Sequence, residues 1–437
     1  AEERNQKEAR MLKICRQKEI EKTFFDYAEP ECLEDVRQII KEVRQKGDEA
    51  LKKFTLLYDG VNLNDFRLSQ QEIKSAGKKV ESSLKKAMAQ AAENLKVMSR
   101  SQLTSLKNLK VKIKPGVTAE QKIIPVNRVG IYVPGGRYPL FSSLLMAAIP
   151  ARLAGVKEVI VCSPPSFEGS LHPALLYAAR LSQVDEVYRL GGAQAIAAMA
   201  LGTESIKKVD KIVGPGNLYV TAAKKELFGQ VGIDFIAGPT ELLIIADEKA
   251  NPAFIAADLI AQAEHDLRAR PVLITTDLIL ARKVNKEIEK QVEKISTRET
   301  VRTSLTKNGL IIIVKNVEEA VTLANRMAPE HLAVFMERPE RIIDRLQNYG
   351  SLFVGEYASE VLGDYSSGLN HILPTNTASR YTGGLSVKDF LKVQTALRIS
   401  KKGLMEIGPA ARRLAQAEGL EGHANSIKIR LREKAGD

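Results

Sequence analysis

Tryptophan is missing from this chain, and aromatic residues are only 5% of its 437 positions. That poverty argues against the aromatic platforms on which proteins stack single-stranded nucleic acid. The formal charge of +12 could suggest a polyanion. Lysine and arginine nevertheless alternate with glutamate, as in Lys283-Val-Asn-Lys286-Glu-Ile-Glu-Lys290, so they read as a solvated surface and no nucleic-acid partner is expected. A negatively charged small ligand remains compatible. The three cysteines, Cys15, Cys32 and Cys162, form no CxxC pair; a disulfide framework and a thiolate zinc site are not indicated, and a reducing compartment fits. Cys162 ends a buried strand without a charged partner in its motif, so a catalytic thiolate is not expected. No apolar run reaches the ~18 residues of a membrane span, and no apolar signal region opens the chain. The expectation is a cytoplasmic protein without a membrane partner, with removal of an organellar targeting segment before Ala1 left open.

What is present begins with length, which is too great for one core and predicts two to four domains. Residues 1–27 read as a charged helix with a thin apolar stripe at Met11, Leu12, Cys15 and Ile20, so it should dock on something. Residues 31–58 and 70–107 have the 3.6-residue period of amphipathic helices. From about residue 120, short apolar runs alternate with helices. Strands at 129–133, 158–162, 184–190 and 211–213 run into glycine turns and helices, among them Pro134-Gly-Gly-Arg137, Gly191-Gly-Ala-Gln194 and Gly214-Pro-Gly-Asn217. Such units predict parallel strands with ligands at their carboxyl ends. A second series places strands at 242–246, 272–275, 310–314, 332–335 and 351–354, with helices at about 252–265, 277–294, 317–327 and 339–348. From Asp389 to about Gly419 the chain reads as helical again, followed by a short tail.

Histidine is also rare, at five residues, and four of the five sit beside carboxylates, amides or glycine turns. Ala328-Pro-Glu-His331 puts an acid and an imidazole after a proline turn, where both can line one pocket as an acid/base pair; an acidic helix N-terminus reads equally well. Gln262 and His265 lie three apart on one helix face, half of a plausible zinc site, although a polar helix end is the simpler reading of that pair alone. Asp364 stands in a turn, and His371 and His423 follow. One Asp, two His and a Gln would give zinc four ligands. The glycine turns are neither a GxGxxG fingerprint nor a P-loop, but three of them together point to a nucleotide crevice.

Taken together, the motifs Gly130-Ile-Tyr-Val-Pro-Gly-Gly136, Gly191-Gly-Ala-Gln-Ala195, Asp210-Lys-Ile-Val-Gly-Pro-Gly-Asn217, Ala237-Gly-Pro-Thr-Glu241, Ala261-Gln-Ala-Glu-His265, Ala328-Pro-Glu-His-Leu332, Gly363-Asp364, Asn370-His-Ile-Leu-Pro-Thr375 and Glu418-Gly-Leu-Glu-Gly-His423 resemble the histidinol dehydrogenase family, in order and over essentially the whole chain. The resemblance implies zinc- and NAD-dependent oxidation of L-histidinol through an aldehyde to L-histidine. It makes Gln262, His265, Asp364 and His423 the zinc ligands, all four also touching substrate. Glu330 would activate water and His331 would accept protons and contact substrate. Thr240 and Glu418 would hold substrate, and Tyr132, Gln194 and Asn217 would line the NAD site. It implies an α/β fold of two Rossmann-like parallel-sheet domains, with helical N- and C-terminal segments exchanged in a homodimer, so that Glu418 and His423 come from the partner. The expected division is 1–27, an N-terminal helical segment; 28–131 with 239–385, the metal-bearing domain; 132–238, the NAD domain; and 386–437, a helical C-terminal domain and tail. Two stretches depart from the family: Thr240 stands where serine is usual, and Ser366-Ser-Gly-Leu369 where Val-Ala-Gly-Pro is commoner. Another small amino or sulfonated alcohol is therefore the alternative substrate.

Overall fold

Apolar runs in this chain are too short to span a core as helices but long enough to cross one as strands, and they assemble into three sheets. The computed structural model describes residues 11–20, 24, 32–135, 138–165 and 169–432. In chain order the elements are β1 (Lys13–Arg16), α1 (Leu33–Lys46), α2 (Asp48–Asp59), α3 (Gln70–Ala76), α4 (Ser82–Thr104), β2 (Leu109–Lys114), β3 (Val117–Pro125), β4 (Arg128–Tyr132), α5 (Phe141–Ala154), β5 (Glu158–Ser163), α6 (Pro173–Leu181), β6 (Glu186–Arg189), α7 (Gly192–Leu201), β7 (Lys211–Val213), α8 (Leu218–Leu227) and β8 (Gly232–Ile233). There follow β9 (Glu241–Ala246), α9 (Pro252–His265), β10 (Arg270–Thr275), α10 (Leu278–Val292), α11 (Arg298–Asn308), β11 (Leu310–Ile313), α12 (Val317–Met327), β12 (His331–Phe335), β13 (Ser351–Val354), α13 (Glu360–Tyr365), β14 (Leu391–Ile399), α14 (Lys401–Ala417) and α15 (Glu421–Arg432).

A five-stranded parallel sheet has the order β6-β5-β4-β7-β8, and a six-stranded parallel sheet the order β1-β11-β10-β9-β12-β13. Both are doubly wound. Helices α1, α2, α7 and α8 cover one face of the smaller sheet, burying Val36, Ile39 and Ile196, while α3 to α6 cover the other around Leu95, Leu144 and Ile149. The larger sheet carries α9, α10 and α11 on one face and α12 on the other. Residues 33–104 thus pack on the five-stranded sheet, not with the six-stranded one to which the sequence expectation joined them; β4 is also a strand of that smaller sheet.

Four local expectations are corrected. Residues 13–16 form a parallel strand beside β11 and not a helix. Asn285 holds this edge by accepting from the Leu12 N–H at 2.9 Å and donating to the Leu12 carbonyl at 3.0 Å; the rest of the expected helix lies largely outside the described residues. Residues 391–399 are an antiparallel strand on β3, completing a three-stranded sheet of order β14-β3-β2. Their alternation in Leu391, Val393, Thr395, Leu397 and Ile399 has the period of a strand. Residues 339–348 contain two 3-10 turns in place of a helix. Beyond Gly419 the chain forms α15, which packs on α14.

Candidate active site

Strand order reverses between β4 and β7 in the smaller sheet, and the carboxyl ends of those two strands open a crevice there. Gly214 makes the approach possible. Its φ is +114°, and a Cβ on it would stand 2.2 Å from the Tyr132 carbonyl oxygen. Helices α7 and α8 start at this edge. Asn217 caps α8 by accepting the Val220 N–H at 3.1 Å, and Tyr132 Oη accepts the Gly192 N–H at 3.0 Å. The wall therefore presents helix N-termini, an arrangement that receives anions, with neutral polar groups and one acid, Asp59, on the same side.

The larger sheet presents its opposite edge. Thr240 precedes β9, Glu330 precedes β12, and His331 is the first residue of β12. All three stand at the amino ends of strands, contrary to the carboxyl-end expectation. The reason is that α9 runs back across the sheet and returns Gln262 and His265 to this edge at its carboxyl end, where the helix dipole is negative and favours a cation. One cavity of about 770 Å³ joins the two walls and is lined by Tyr132, Gln194, Asn217, Thr240, His265, Glu330, His331 and Asp364, a size normal for small-molecule sites.

The second wall is densely charged. Glu330 Oε2 accepts from the Glu241 N–H at 2.9 Å and from the Thr240 hydroxyl. His331 Nδ1 lies 3.2 Å from the Glu241 carbonyl oxygen, so Nδ1 carries the proton. Its Nε2 is 3.5 Å from Asp364 Oδ1, and Asp364 Oδ2 is 3.7 Å from His265 Nε2. Glu360, 1% exposed, stands 3.8 Å from His331 Nδ1. Turned so that its nitrogen donates to Glu360 Oε2 at 2.8 Å, the Gln262 amide sets its oxygen 2.6 Å from Thr240 Oγ1. Burial alone would lower the His331 pKa, but Glu330, Asp364 and Glu360 carry it up to about 10. Burial raises Glu330 and Glu360. Burial also opposes ionisation of Asp364, yet His331, His371 and His265 hold it below its ordinary value. Glu241 is pushed up to about 7 by burial against the pull of Arg270, 3.0 Å away.

Sequence reasoning placed Asp364 in a turn and so missed Glu360; both lie on α13, four residues apart and on one face. It also left His371 without a place: Nδ1 meets the Asp364 carbonyl at 2.6 Å and Nε2 the Ser143 hydroxyl at 2.9 Å, bridging the two walls. The Lys224–Asp234 ion pair was missed as well. Both side chains are buried; Asp234 accepts the Gly214 N–H at 2.8 Å while Lys224 donates to the Gly214 carbonyl at 3.1 Å, gripping the glycine turn from both sides. Cys162 is buried and burial raises its thiol pKa, in keeping with an inert role. The Gly136-Arg137 end of the first glycine turn lies outside the described residues.

Two expected site residues are elsewhere in this chain. Glu418 follows α14 and His423 is on α15; both are exposed and neither lines the cavity. Correspondingly, no group of three or more His, Cys, Asp or Glu side chains able to hold a metal occurs among the described residues. No described helix is long and apolar enough to cross a membrane.

The histidinol dehydrogenase family pattern matches residues 26–431. A histidinol dehydrogenase of Methanothermobacter thermautotrophicus is 45% identical, covering 91% of this chain and 93% of its own. One from Bacillus cereus is 46% identical, covering 92% of each. The crystal structure of histidinol dehydrogenase from Elizabethkingia anophelis superposes with a TM-score of 0.90 at 36% identity, covering 97% of this chain and 98% of that one. The chain belongs to the histidinol dehydrogenase family.

Proposed function

We propose that this chain is a zinc-dependent, NAD-linked dehydrogenase that oxidises L-histidinol to L-histidine by way of the aldehyde, two NAD being reduced per histidine formed. The observation that carries the reading is one cavity in which a wall of helix N-termini faces a buried acid–imidazole cluster. The charge balance of that cluster fits a divalent cation. Arg270 answers Glu241, but among the described residues Glu330, Glu360 and Asp364 pair with no Lys or Arg, only with His331 and, for Asp364, His265. The His265–Asp364 separation of 3.7 Å is close to the ~3.3–3.6 Å between neighbouring ligands of a tetrahedral ion with bonds of ~2.0–2.2 Å. Gln262, His265 and Asp364 would hold it. The other wall fits a dinucleotide: Gln194 lines the cavity and its buried Oε1 has no hydrogen-bond partner, and the starts of α7 and α8 suit a diphosphate.

When bound, zinc would polarise the alcohol oxygen and NAD would take up hydride. This chain's own groups handle protons and water. His331 is held by its Nδ1–H on the Glu241 carbonyl, which leaves Nε2 as the atom that accepts a proton once the surplus negative charge around it is offset. Glu330, its basicity raised by burial, would draw a proton from the water that adds to the aldehyde. Thr240, at the mouth of this wall, would contact substrate through its hydroxyl. Enclosure of the cavity would limit escape of the aldehyde.

Glu418 and His423 are assigned to the neighbouring site of a homodimer, as fourth ligand and substrate contact. Exposed apolar side chains on the same elements support this: Val393 and Leu397 on β14, Leu414 on α14 and Ile429 on α15. The test is NADH formation from L-histidinol, abolished by a chelator and restored by zinc, with kcat/KM compared across small amino and sulfonated alcohols. No NADH from histidinol with zinc supplied would end the reading; a higher kcat/KM on another alcohol would move the substrate assignment.

A further inference from the structure

Helix α2 ends on Asp59, and everything local about that residue is unfavourable. A carboxylate at a helix carboxyl terminus faces the negative end of the dipole, and no basic residue occupies the last turn of α2 to offset it. Asp59 is half-buried, its Oδ2 is shut off from solvent without a hydrogen-bond partner, and it has no ion pair among the described residues. Burial raises its pKa to about 6. A carboxylate cannot cap a helix C-terminus, because the orphan groups there are acceptors as well. The fold gains nothing from this acid.

Its position supplies a reason. Asp59 lines the cavity on the side of the five-stranded sheet together with Tyr132, whose ionisation is suppressed chiefly by burial and further by Asp59, and α2 packs on α7, which carries Gln194. The reacting end of a dinucleotide must lie against the six-stranded sheet, where His331 and Asp364 are. The adenosine end then falls on the wall that includes Asp59. A ribose hydroxyl is a donor that a half-buried carboxylate lining the cavity without an ion pair lacks, whereas a ribose 2′-phosphate would bring like charge against it.

We propose that Asp59 accepts the 2′-hydroxyl of the adenosine ribose and excludes a 2′-phosphate, making the enzyme selective for NAD over NADP; this rests on the cofactor reading above. The acid reaches the cavity from α2, upstream of every strand in the smaller sheet, and not from the strand end that usually supplies it.

The test is calorimetric binding of NAD and of NADP to the full-length protein and to Asp59→Asn and Asp59→Ala, with thermal melting of all three. Wild type should bind NAD at least about 100-fold more tightly than NADP. Asp59→Asn should shrink that ratio about tenfold or more, and Asp59→Ala should weaken NAD further. Both variants should melt higher than wild type, since an unpaired, half-buried charge is gone. If wild type binds NAD and the ratio is unchanged in both variants, or the variants melt lower and lose both nucleotides equally, the Asp59 assignment fails alone. If wild type binds neither nucleotide, the cofactor reading fails and takes this inference with it.

Discussion

The two parallel sheets meet at one cavity but offer it opposite edges. The five-stranded sheet gives carboxyl ends of strands and amino ends of helices, with neutral side chains such as Gln194 and Asn217. The six-stranded sheet gives amino ends of strands and the carboxyl end of α9, with Glu330, His331, Glu360 and Asp364 buried together. Helix dipoles therefore make one wall receptive to anions and the other to cations. The difference teaches that, on the proposed function, binding and chemistry should be separable: one wall should tolerate damage to the other.

The largest effect is expected from the charged wall. Glu330→Gln or His331→Asn should lower kcat by about 10²–10⁴-fold with little change in KM, as loss of an acid/base group does; steady-state kinetics with L-histidinol at saturating NAD would show it. A raised KM at constant kcat would erase the division of labour. Metal removal sharpens it further. Chelation should take turnover to background, while the Kd for NAD measured by calorimetry stays within about threefold, since the dinucleotide wall contains no metal ligand. A collapse of NAD affinity on chelation would join the two walls into one unit.

Lys224→Met probes the neutral wall. It leaves Asp234 buried without its cation and should cost about 3–5 kcal/mol of stability, read by denaturant unfolding, with weaker NAD binding because the Gly214 turn loses its grip. Zinc content by metal analysis should be unchanged. The smallest effect concerns pH. The Asp59 pKa is raised in the folded chain to about 6, so ionisation opposes folding. The penalty is absent below the ordinary carboxylate pKa of ~3.9, grows as pH rises, and is complete above about 6. Asp59→Asn should melt higher than wild type at pH 7, with the gap closing as pH falls toward 4; a gap that widens in acid would reverse the sign and remove burial as the cause.

Much of the smaller sheet was legible, because β4, β6 and β7 each end in a glycine turn that punctuates them. The Ala328-Pro-Glu-His331 and Gln262/His265 spacings led to Glu330, His331 and His265, which line one cavity, and to Gln262, buried behind it against Thr240. Other features were hidden for physical reasons. The charged residues around Ile14 and Cys15 mask a four-residue strand whose partner, β11, is remote in sequence. The three-stranded sheet was missed although Leu109-Lys-Val-Lys-Ile-Lys114 alternates strictly, because all six residues are exposed and no core demanded them. That the second sheet presents its amino edge follows from the return of α9, which no local pattern encodes. Lys224 acts through tertiary neighbours on other elements, Asp234 and the Gly214 carbonyl.

The edge strand β1 has one more consequence. Its partner β11 begins at Leu310, roughly 300 residues later, and ribosomes add about 5–20 residues per second. For ~15–60 s of every synthesis the segment that includes Leu12 and Cys15 has no template to join. A nascent polypeptide with that interval is a natural client for holdase chaperones, and rapid overexpression should favour inclusion bodies over slow induction in the cold.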